Sequence, residues 1–343
     1  MTHGQRITEA EAQALTVSAF SRVGVLPSMA RDAAEMITTA EMMGISTHGL
    51  ARVANYVDRL RAGGMNPKAE PQITAPAPAL LKVDGQNGLG GAVALRATQA
   101  AMNAARQTGI AAAFCRRSTH LGALASLLWV AAQDGFAAII TTNSAPMIAP
   151  AGGRAAVLGN APLGFAMPDA NGVPVLLDMA LSVAARSKVR GAAMAGQAIP
   201  DTWATDAAGR PTTDATAAMK GLMQAIGGTK GANLSLCLDL FAGGLSGAAM
   251  MAELPDTNKT PEIKPDVGHM IIVVDAARLM SDEALSVRVQ DARAMVTASP
   301  PLDEATPIRL PGARAIAALN KAKAQGFTLA PGLFETLSDL AGG

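Results

Sequence analysis

From Leu80 to Asp275 the chain alternates short apolar runs with alanine-rich stretches at helical spacing, and few folds accommodate that alternation. The runs are Leu80–Val83, Ala111–Cys115, Ala137–Thr141, Val175–Asp178 and Met270–Asp275, separated by Gly and Pro turns. Between them, Leu95–Gln107 and Leu121–Gln133 read as helices. Strands and helices in this order make an α/β layer, with helices covering a sheet. Half of the residues are hydrophobic, yet the aromatics are only seven Phe, two Trp and one Tyr. The apolar content is therefore mostly small and aliphatic, which lets helices pack closely.

The ends read differently. Thr8 and Glu11 form a capping box that opens a first helix, with Ala12, Leu15, Val17, Ala19 and Val23 available to a core. Pro27-Ser28 breaks it, and Ser28 can cap a second helix running to about Gly44. A third is expected from near Ser46, with Leu50, Val53, Tyr56, Val57 and Leu60 at helical spacing, ending at Gly63-Gly64 as a left-handed cap favours. Asn66 to Pro78 reads as a connector. After Asp275 helices return at Asp282–Ala298, Arg314–Ala324 and Leu333–Leu340. The two helical ends are expected to pack together.

With 28 Lys plus Arg against 27 Asp plus Glu, the net charge is +1. Nucleic-acid and membrane-surface binders need a concentrated basic field, so neither is expected as a partner. The longest uncharged stretch, Gly135 to Gly153, contains Asn143, Pro146 and Pro150 and does not suit a transmembrane helix. Met1 to Arg6 lead into a helix without an apolar signal core, so a cytoplasmic location is expected. Cys115 and Cys237 read as two buried, reduced thiols.

Thirty-four glycines invite a search for nucleotide loops, but no Gly-x-Gly-x-x-Gly and no Gly-Lys-Ser/Thr occurs. His-Glu-x-x-His and Cys-x-x-Cys are absent too, so no metal is expected. A nucleophile elbow is also missing.

Four histidines stand at positions 3, 48, 120 and 269. Two of them end the same tripeptide, Ser46-Thr47-His48 and Ser118-Thr119-His120, each near the start of a helix pattern. A histidine there can protonate a developing alkoxide, with a neighbouring hydroxyl orienting its ring. For a single such tripeptide, helix capping by Ser or Thr with the histidine filling space is the commoner explanation. Arg52 follows His48 by four residues, which places both on one helix face. Such a pair suits a carboxylate substrate, held by the guanidinium while the imidazole serves the adjacent oxygen. Asp178 ends an apolar run. It either caps the next segment at the surface or is buried with a partner, whether a histidine, a turn or a ribose hydroxyl. Gly227-Gly228-Thr229-Lys230-Gly231 offers amides and an ammonium for phosphate, or is a plain flexible turn.

The order of these motifs resembles the malate/L-lactate dehydrogenase-like family of NAD(P)-dependent oxidoreductases, which also holds sulfolactate, ureidoglycolate and diketogulonate enzymes and cyclic-imine reductases. The matching strings are Ser46-Thr47-His48-Gly49-Leu50-Ala51-Arg52, Ser118-Thr119-His120-Leu121-Gly122-Ala123, Thr142-Asn143-Ser144-Ala145-Pro146, Pro150-Ala151-Gly152-Gly153, Leu176-Leu177-Asp178-Met179-Ala180, Gly227 to Gly231 and Arg309-Leu310-Pro311-Gly312. Seven strings in order cover nearly the whole chain.

The resemblance implies a non-Rossmann fold. Residues 76–279 would form a cofactor-binding α/β domain with a mixed sheet, flanked by a helical dimerisation domain from 1–75 plus 280–343. It implies His48 as proton donor or acceptor with Thr47 orienting it, and His120 in the same cleft, either histidine being the acid. Arg52 and Asn160 would bind substrate. Ser144, Asp178, Met179, Ala180 and Lys230 would line the site for NAD or NADP, in a homodimer acting on a small carboxylic acid.

Departures stand at Asn160-Ala161, Leu181 and Ala313, where the family often has other residues. Lys188 replaces an aspartate of the cyclic-imine reductases, which favours 2-oxo and 2-hydroxy acids over imino acids such as piperideine- or pyrroline-2-carboxylate. Arg186 and Lys188 are either contacts for a 2′-phosphate or solvated charges. A non-catalytic ligand-binding dimer is the rival from another class.

Overall fold

The computed structural model describes residues 4–170 and 173–342, so His3 lies outside it. A two-residue strand β1 (Arg6–Ile7) precedes α1 (Glu9–Arg22), whose capping box forms between Thr8 and Glu11. In α2 (Pro27–Met42) the N-cap is Leu26, not Ser28. Pro27 takes the first helical position, where its fixed φ suits the helix and its missing N–H costs nothing. The helix expected from Ser46 is split into a 3-10 turn at Ser46–His48 and α3 (Arg52–Ala62). Gly63 closes α3 with φ +88°, the left-handed cap that its sequence favoured.

The sheet has seven strands among the described residues. They are β2 (Gln72–Ala77), β3 (Leu80–Asp84), β4 (Ile110–Ser118), β5 (Phe136–Thr142), β6 (Leu163–Met167), β7 (Val175–Met179) and β8 (Val267–Asp275), ordered β2-β3-β4-β8-β5-β6-β7. Only β3 and β4 run parallel, so the sheet is mixed. The presumed connector Asn66 to Pro78 therefore contains the edge strand β2. All of its residues are exposed and it includes Pro76, features that mark an edge and hide it from a search for apolar runs. β6 was equally unmarked, because Gly164 interrupts it. A Cβ at Gly164 would press on Leu128 of the covering helix, so the strand gives up a side chain for close packing.

Helix α4 (Gly90–Thr108) joins β3 to β4, and α5 (Leu124–Gln133) joins β4 to β5. Ala94, Ala97, Ala101 and Ala105 of α4 are fully buried, as are Ala111 and Ala113 of β4. Small side chains on both layers let this helix lie close to the sheet. A second, smaller core of Ile148, Leu158, Val189, Ile199, Ala204 and Met223 supports α6 (Arg186–Met194), α7 (Ala215–Ala218) and α8 (Thr229–Asp239). Helix α8 runs on into a π-turn at Leu240–Gly244. Cys237 is exposed rather than buried. It lies three residues from Leu234 and four from Phe241, both exposed, so helical periodicity turns all three outward.

The chain ends with α9 (Asp282–Thr297), α10 (Ala313–Gln325), β9 (Phe327–Thr328) and α11 (Leu333–Ala341). β1 pairs with β9, and Ser18 of α1 donates to the Ala341 carbonyl. The chain ends thus meet through β1, α1, β9 and α11. Helix α9 instead lies against Asp169 and Val173: Ser286 donates to the Asp169 carboxylate, and Arg293 donates to the Val173 carbonyl. Pro311 and Gly312 cover β7: the Pro311 carbonyl accepts the Leu176 N–H, and Gly312 takes φ +81° against Leu176.

Candidate active site

The first histidine sits on a turn tied down from α2. The Glu41 carboxylate accepts the Leu50 N–H at 2.8 Å and the Ser46 hydroxyl, which closes the loop over 46–50. A Cβ at Gly49 would run into Glu41, so glycine is required after His48. Thr47 Oγ1 lies 3.0 Å from His48 Nδ1. Arg52 does not share a continuous helix face with His48. Its Nε donates to the Thr47 carbonyl at 2.6 Å, which fixes the guanidinium beside the turn.

The second histidine follows a bulge. β4 loses register with β8 between Cys115 and Ser118, where Arg117 has φ +46°. Thr119 then donates to the Gly88 carbonyl at 2.8 Å and accepts the Gly90 N–H at 3.0 Å. Its hydroxyl is therefore occupied, and α5 begins only at Leu124. The tripeptide ends a strand and does not open a helix. The hydroxyl that orients His120 comes from Tyr56 of α3, 2.6 Å from Nδ1. Sequence reasoning assigned Tyr56 to the core. Two signals pointed further: it is the only tyrosine of the chain, and it stands one helical turn after Arg52.

The two imidazoles stack, with ring centroids 5.4 Å apart and planes inclined by 24°. Burial and the Arg52 guanidinium push His48 down to about 4. His120 is held well below the usual range by burial first, then by His48, Arg52, Arg59 and His269. Burial drives Tyr56 up to about 12, so its phenol keeps its proton. Arg59 is buried beneath, donating to the Gly64 and Ile263 carbonyls. Two guanidiniums around two neutral rings make a site that favours an anion. His48, Tyr56, Gly90, Leu121 and Gly122 line one narrow cleft.

The loop after His120 leads to Asp178. The Asp178 carboxylate, at the end of β7, accepts the N–H groups of Ala125 at 2.9 Å and of Leu124. It thus caps α5 from another strand. The group is crowded by protein yet open to solvent. Crowding raises its pKa, and the two amides oppose the rise. Beyond it, Ser144 donates to the Asn160 side chain at 2.9 Å and accepts the Asn160 N–H at 3.1 Å. The Asn160 carbonyl accepts the Leu181 N–H, and the Leu181 carbonyl accepts the Ile226 N–H. Through these bonds the segments holding Ser144, Asn160, Met179-Ala180 and Gly227–Lys230 form one cluster of loops. Gly227 and Gly228 have φ near +60° and open α8, with exposed Lys230 in its first turn.

Helix-end amides and an ammonium suit phosphate, and a solvent-open carboxylate suits a ribose hydroxyl, so these residues fit a dinucleotide. Lys188 is exposed in the first turn of α6, while Arg186 donates to the Met219 carbonyl at 3.0 Å. Among the described residues no cluster of three or more His, Cys, Asp or Glu could hold a metal ion. No helix among them is long and apolar enough to cross a membrane.

A mixed sheet without a glycine fingerprint, with paired histidines and an arginine at one cleft, defines an oxidoreductase of the hydroxy-acid dehydrogenase class rather than a Rossmann enzyme. The chain belongs to the malate/L-lactate dehydrogenase family, whose model matches residues 7–338. It is 33% identical over 304 residues to a (2R)-3-sulfolactate dehydrogenase (NADP(+)) of Chromohalobacter salexigens, covering 89% of each chain. It is also 33% identical over 330 residues to a Delta(1)-pyrroline-2-carboxylate reductase of Pseudomonas fluorescens, covering 96% of this chain and 97% of the other. The solved sulfolactate dehydrogenase of Methanocaldococcus jannaschii superposes with a TM-score of 0.90 at 27% identity, covering 98% and 97%.

Proposed function

We propose that the chain interconverts a small 2-oxo carboxylic acid and its 2-hydroxy acid, with NADH or NADPH as partner in hydride transfer. The observation that carries this reading is the Tyr56–His120–His48 cluster beside Arg52. Arg52 uses Nε to hold its own turn, which leaves its two terminal nitrogens to clamp a carboxylate in a bidentate pair. His120 is the proton donor to the forming alkoxide. Tyr56 occupies Nδ1, so the proton leaves from Nε2, and the phenol oxygen accepts from Nδ1–H both before and after the transfer, which holds the ring in place. His48 stacks on the other side and, with Thr47, shapes the cleft.

Ser144, Asp178, Met179, Ala180 and Lys230 line the dinucleotide site in this reading, and Asn160 joins it to the substrate. The bound nicotinamide supplies the hydride to C2. Residues 1–75 plus 280–343 form a helical dimerisation domain, and 76–279 the cofactor domain. Exposed Val287, Met295 and Val296 on α9 support a homodimer through the helical domain, and reliance on a diffusible nicotinamide supports a cytoplasmic location.

Likeness to the pyrroline-2-carboxylate reductase favours a second reading, reduction of a cyclic imino acid. Lys188 counts against it, because no carboxylate stands there. The test is absorbance at the nicotinamide band with NADH or NADPH, a panel of 2-oxo acids and one cyclic imine. Oxidation with an open-chain acid is expected. Oxidation with the imine alone moves the chain to the reductases, and cofactor binding without turnover makes it a ligand-binding dimer.

A further inference from the structure

His269 belongs to none of the strings above, yet it is fully buried in the central strand β8, between β4 and β5. In register it faces Cys115 on one side and Thr142 on the other. Its Nε2 lies 2.7 Å from the Ser118 hydroxyl, and its Nδ1 lies 2.8 Å from the Thr142 hydroxyl. The bulge in β4 brings Ser118 round to reach the ring. One imidazole thus spans β8 and joins the last residue of β4 to the last residue of β5. Two residues beyond Ser118 stands His120. Two beyond Thr142 stands Ser144, which holds Asn160.

The hydrogen-bond roles assign the ring's proton. Thr142 Oγ1 lies 3.0 Å from the Gly268 carbonyl, which can only accept, so the threonine donates there. It then accepts from His269, which places the ring proton on Nδ1 and leaves Nε2 to accept from Ser118. Every polar atom of the bridge is satisfied while the ring is neutral. A simple core residue of this size needs no such pairing, and an apolar one would avoid its cost.

We propose that His269 is a positioning residue that sets the distance between the proton-donor segment 118–120 and the cofactor segment 142–144. It touches neither substrate nor cofactor. It acts through Ser118 on His120 and through Thr142 on Ser144, so hydride and proton delivery keep one relative geometry. The proposal rests on the reading of His120 as proton donor.

The test separates the two arms of the bridge with Ser118→Ala, Thr142→Val and His269→Phe. Turnover and KM are measured alongside cofactor affinity, read by nicotinamide fluorescence. Ser118→Ala is expected to lower kcat about ten-fold with cofactor affinity kept, and Thr142→Val to weaken cofactor binding by a similar factor. His269→Phe should do both, approaching the roughly 100-fold loss that a misplacement of about 1 Å produces. A nitrogen-15 NMR spectrum should show the Nδ1–H form of His269, and Ser118→Ala should shift the His120 ring signals. If the two single variants lose melting temperature but leave kcat, cofactor affinity and the His120 signals as in the parent, His269 is packing only and the proposal fails. The NMR arm needs no turnover, so silence of the parent enzyme toward every acid and imine would overturn the proposed function and still leave the bridge decided.

Discussion

The phenolic oxygen of Tyr56 lies 2.6 Å from Nδ1 of His120, across 64 residues of sequence. Tyr56→Phe keeps the ring's volume and removes this bond. Turnover is expected to fall about 10- to 100-fold, less than the roughly 10²–10⁴-fold that a general acid contributes, because the imidazole itself stays. Stability should drop by about 1–3 kcal/mol, the cost of leaving the His120 ring nitrogen without this partner. Steady-state kinetics beside a thermal melt check both, and an unchanged kcat would remove Tyr56 from the site.

Arg52→Ala removes the proposed carboxylate clamp. KM for the acid should rise by a factor that corresponds to about 2–5 kcal/mol, the cost of leaving a buried charge without its partner. Arg52→Lys should recover little, because an ammonium cannot make the bidentate pair. Parent-like KM values in either variant would place the substrate carboxylate elsewhere.

Gly90 opens α4 under the backbone of the second histidine, where a Cβ would collide with the carbonyl oxygens of Thr119 and His120. Backbone cannot swing away as a side-chain tip can. Gly90→Ala is therefore expected to shift His120, lowering kcat at least ten-fold and costing about 1–3 kcal/mol of stability, as overpacking does. A crystal structure of the variant with His120 in place would count against this.

Acid should destabilise the protein from about pH 6.5 downward, through its buried histidines. His48 and His269 have pKa values near 4 and 3 when folded, against 6.5 for the free side chain, and His120 is lowered too. Between those values the unfolded chain binds more protons, so the stability is complete above pH 6.5 and lost as pH falls. Buried His269 alone should cost about 1.4 kcal/mol per pH unit below 6.5. Glu35, Glu41, Asp178 and Asp239, whose pKa values burial raises, work in the opposite sense and reduce the net slope. Urea unfolding at pH 7.5, 6 and 5 measures the slope, and His269→Phe should flatten it. Equal stability at pH 7.5 and 5 would show that these rings are not held neutral.

Depressed histidines also set the direction of the pH–rate profile. In reduction the donor must be protonated, so kcat/KM should rise as pH falls from 8 to 6. In oxidation the neutral ring is the base, and the same range should be nearly flat. Stopped assays in both directions check this, and a reduction rate that falls toward pH 6 would argue against a histidine donor.

Legibility differed by the range of the interaction. The capping box of α1, the glycine stop of α3 and the strands β3, β4, β5, β7 and β8 were readable, because each depends on residues within a few positions. The edge strand β2 and the glycine-bearing β6 were not, because their partners rather than their own side chains define them. The histidine tripeptides were visible as strings, but their local setting was misread. Gly49 breaks the helix that the spacing of His48 and Arg52 suggested, and Thr119 turns to Gly88 and Gly90.

The sequence by itself determined the family, the α/β character and the candidate side chains, since motif order and periodicity are local and survive without coordinates. Only the tertiary structure decided which groups meet. It set Tyr56 against His120, stacked His48 on that ring, turned Asp178 to the N-terminus of α5 and laid His269 between Ser118 and Thr142. Each of those contacts spans tens of residues or more, and strand order, a bulge and the close approach of glycines fix its geometry, none of which is written in the spacing of the residues involved.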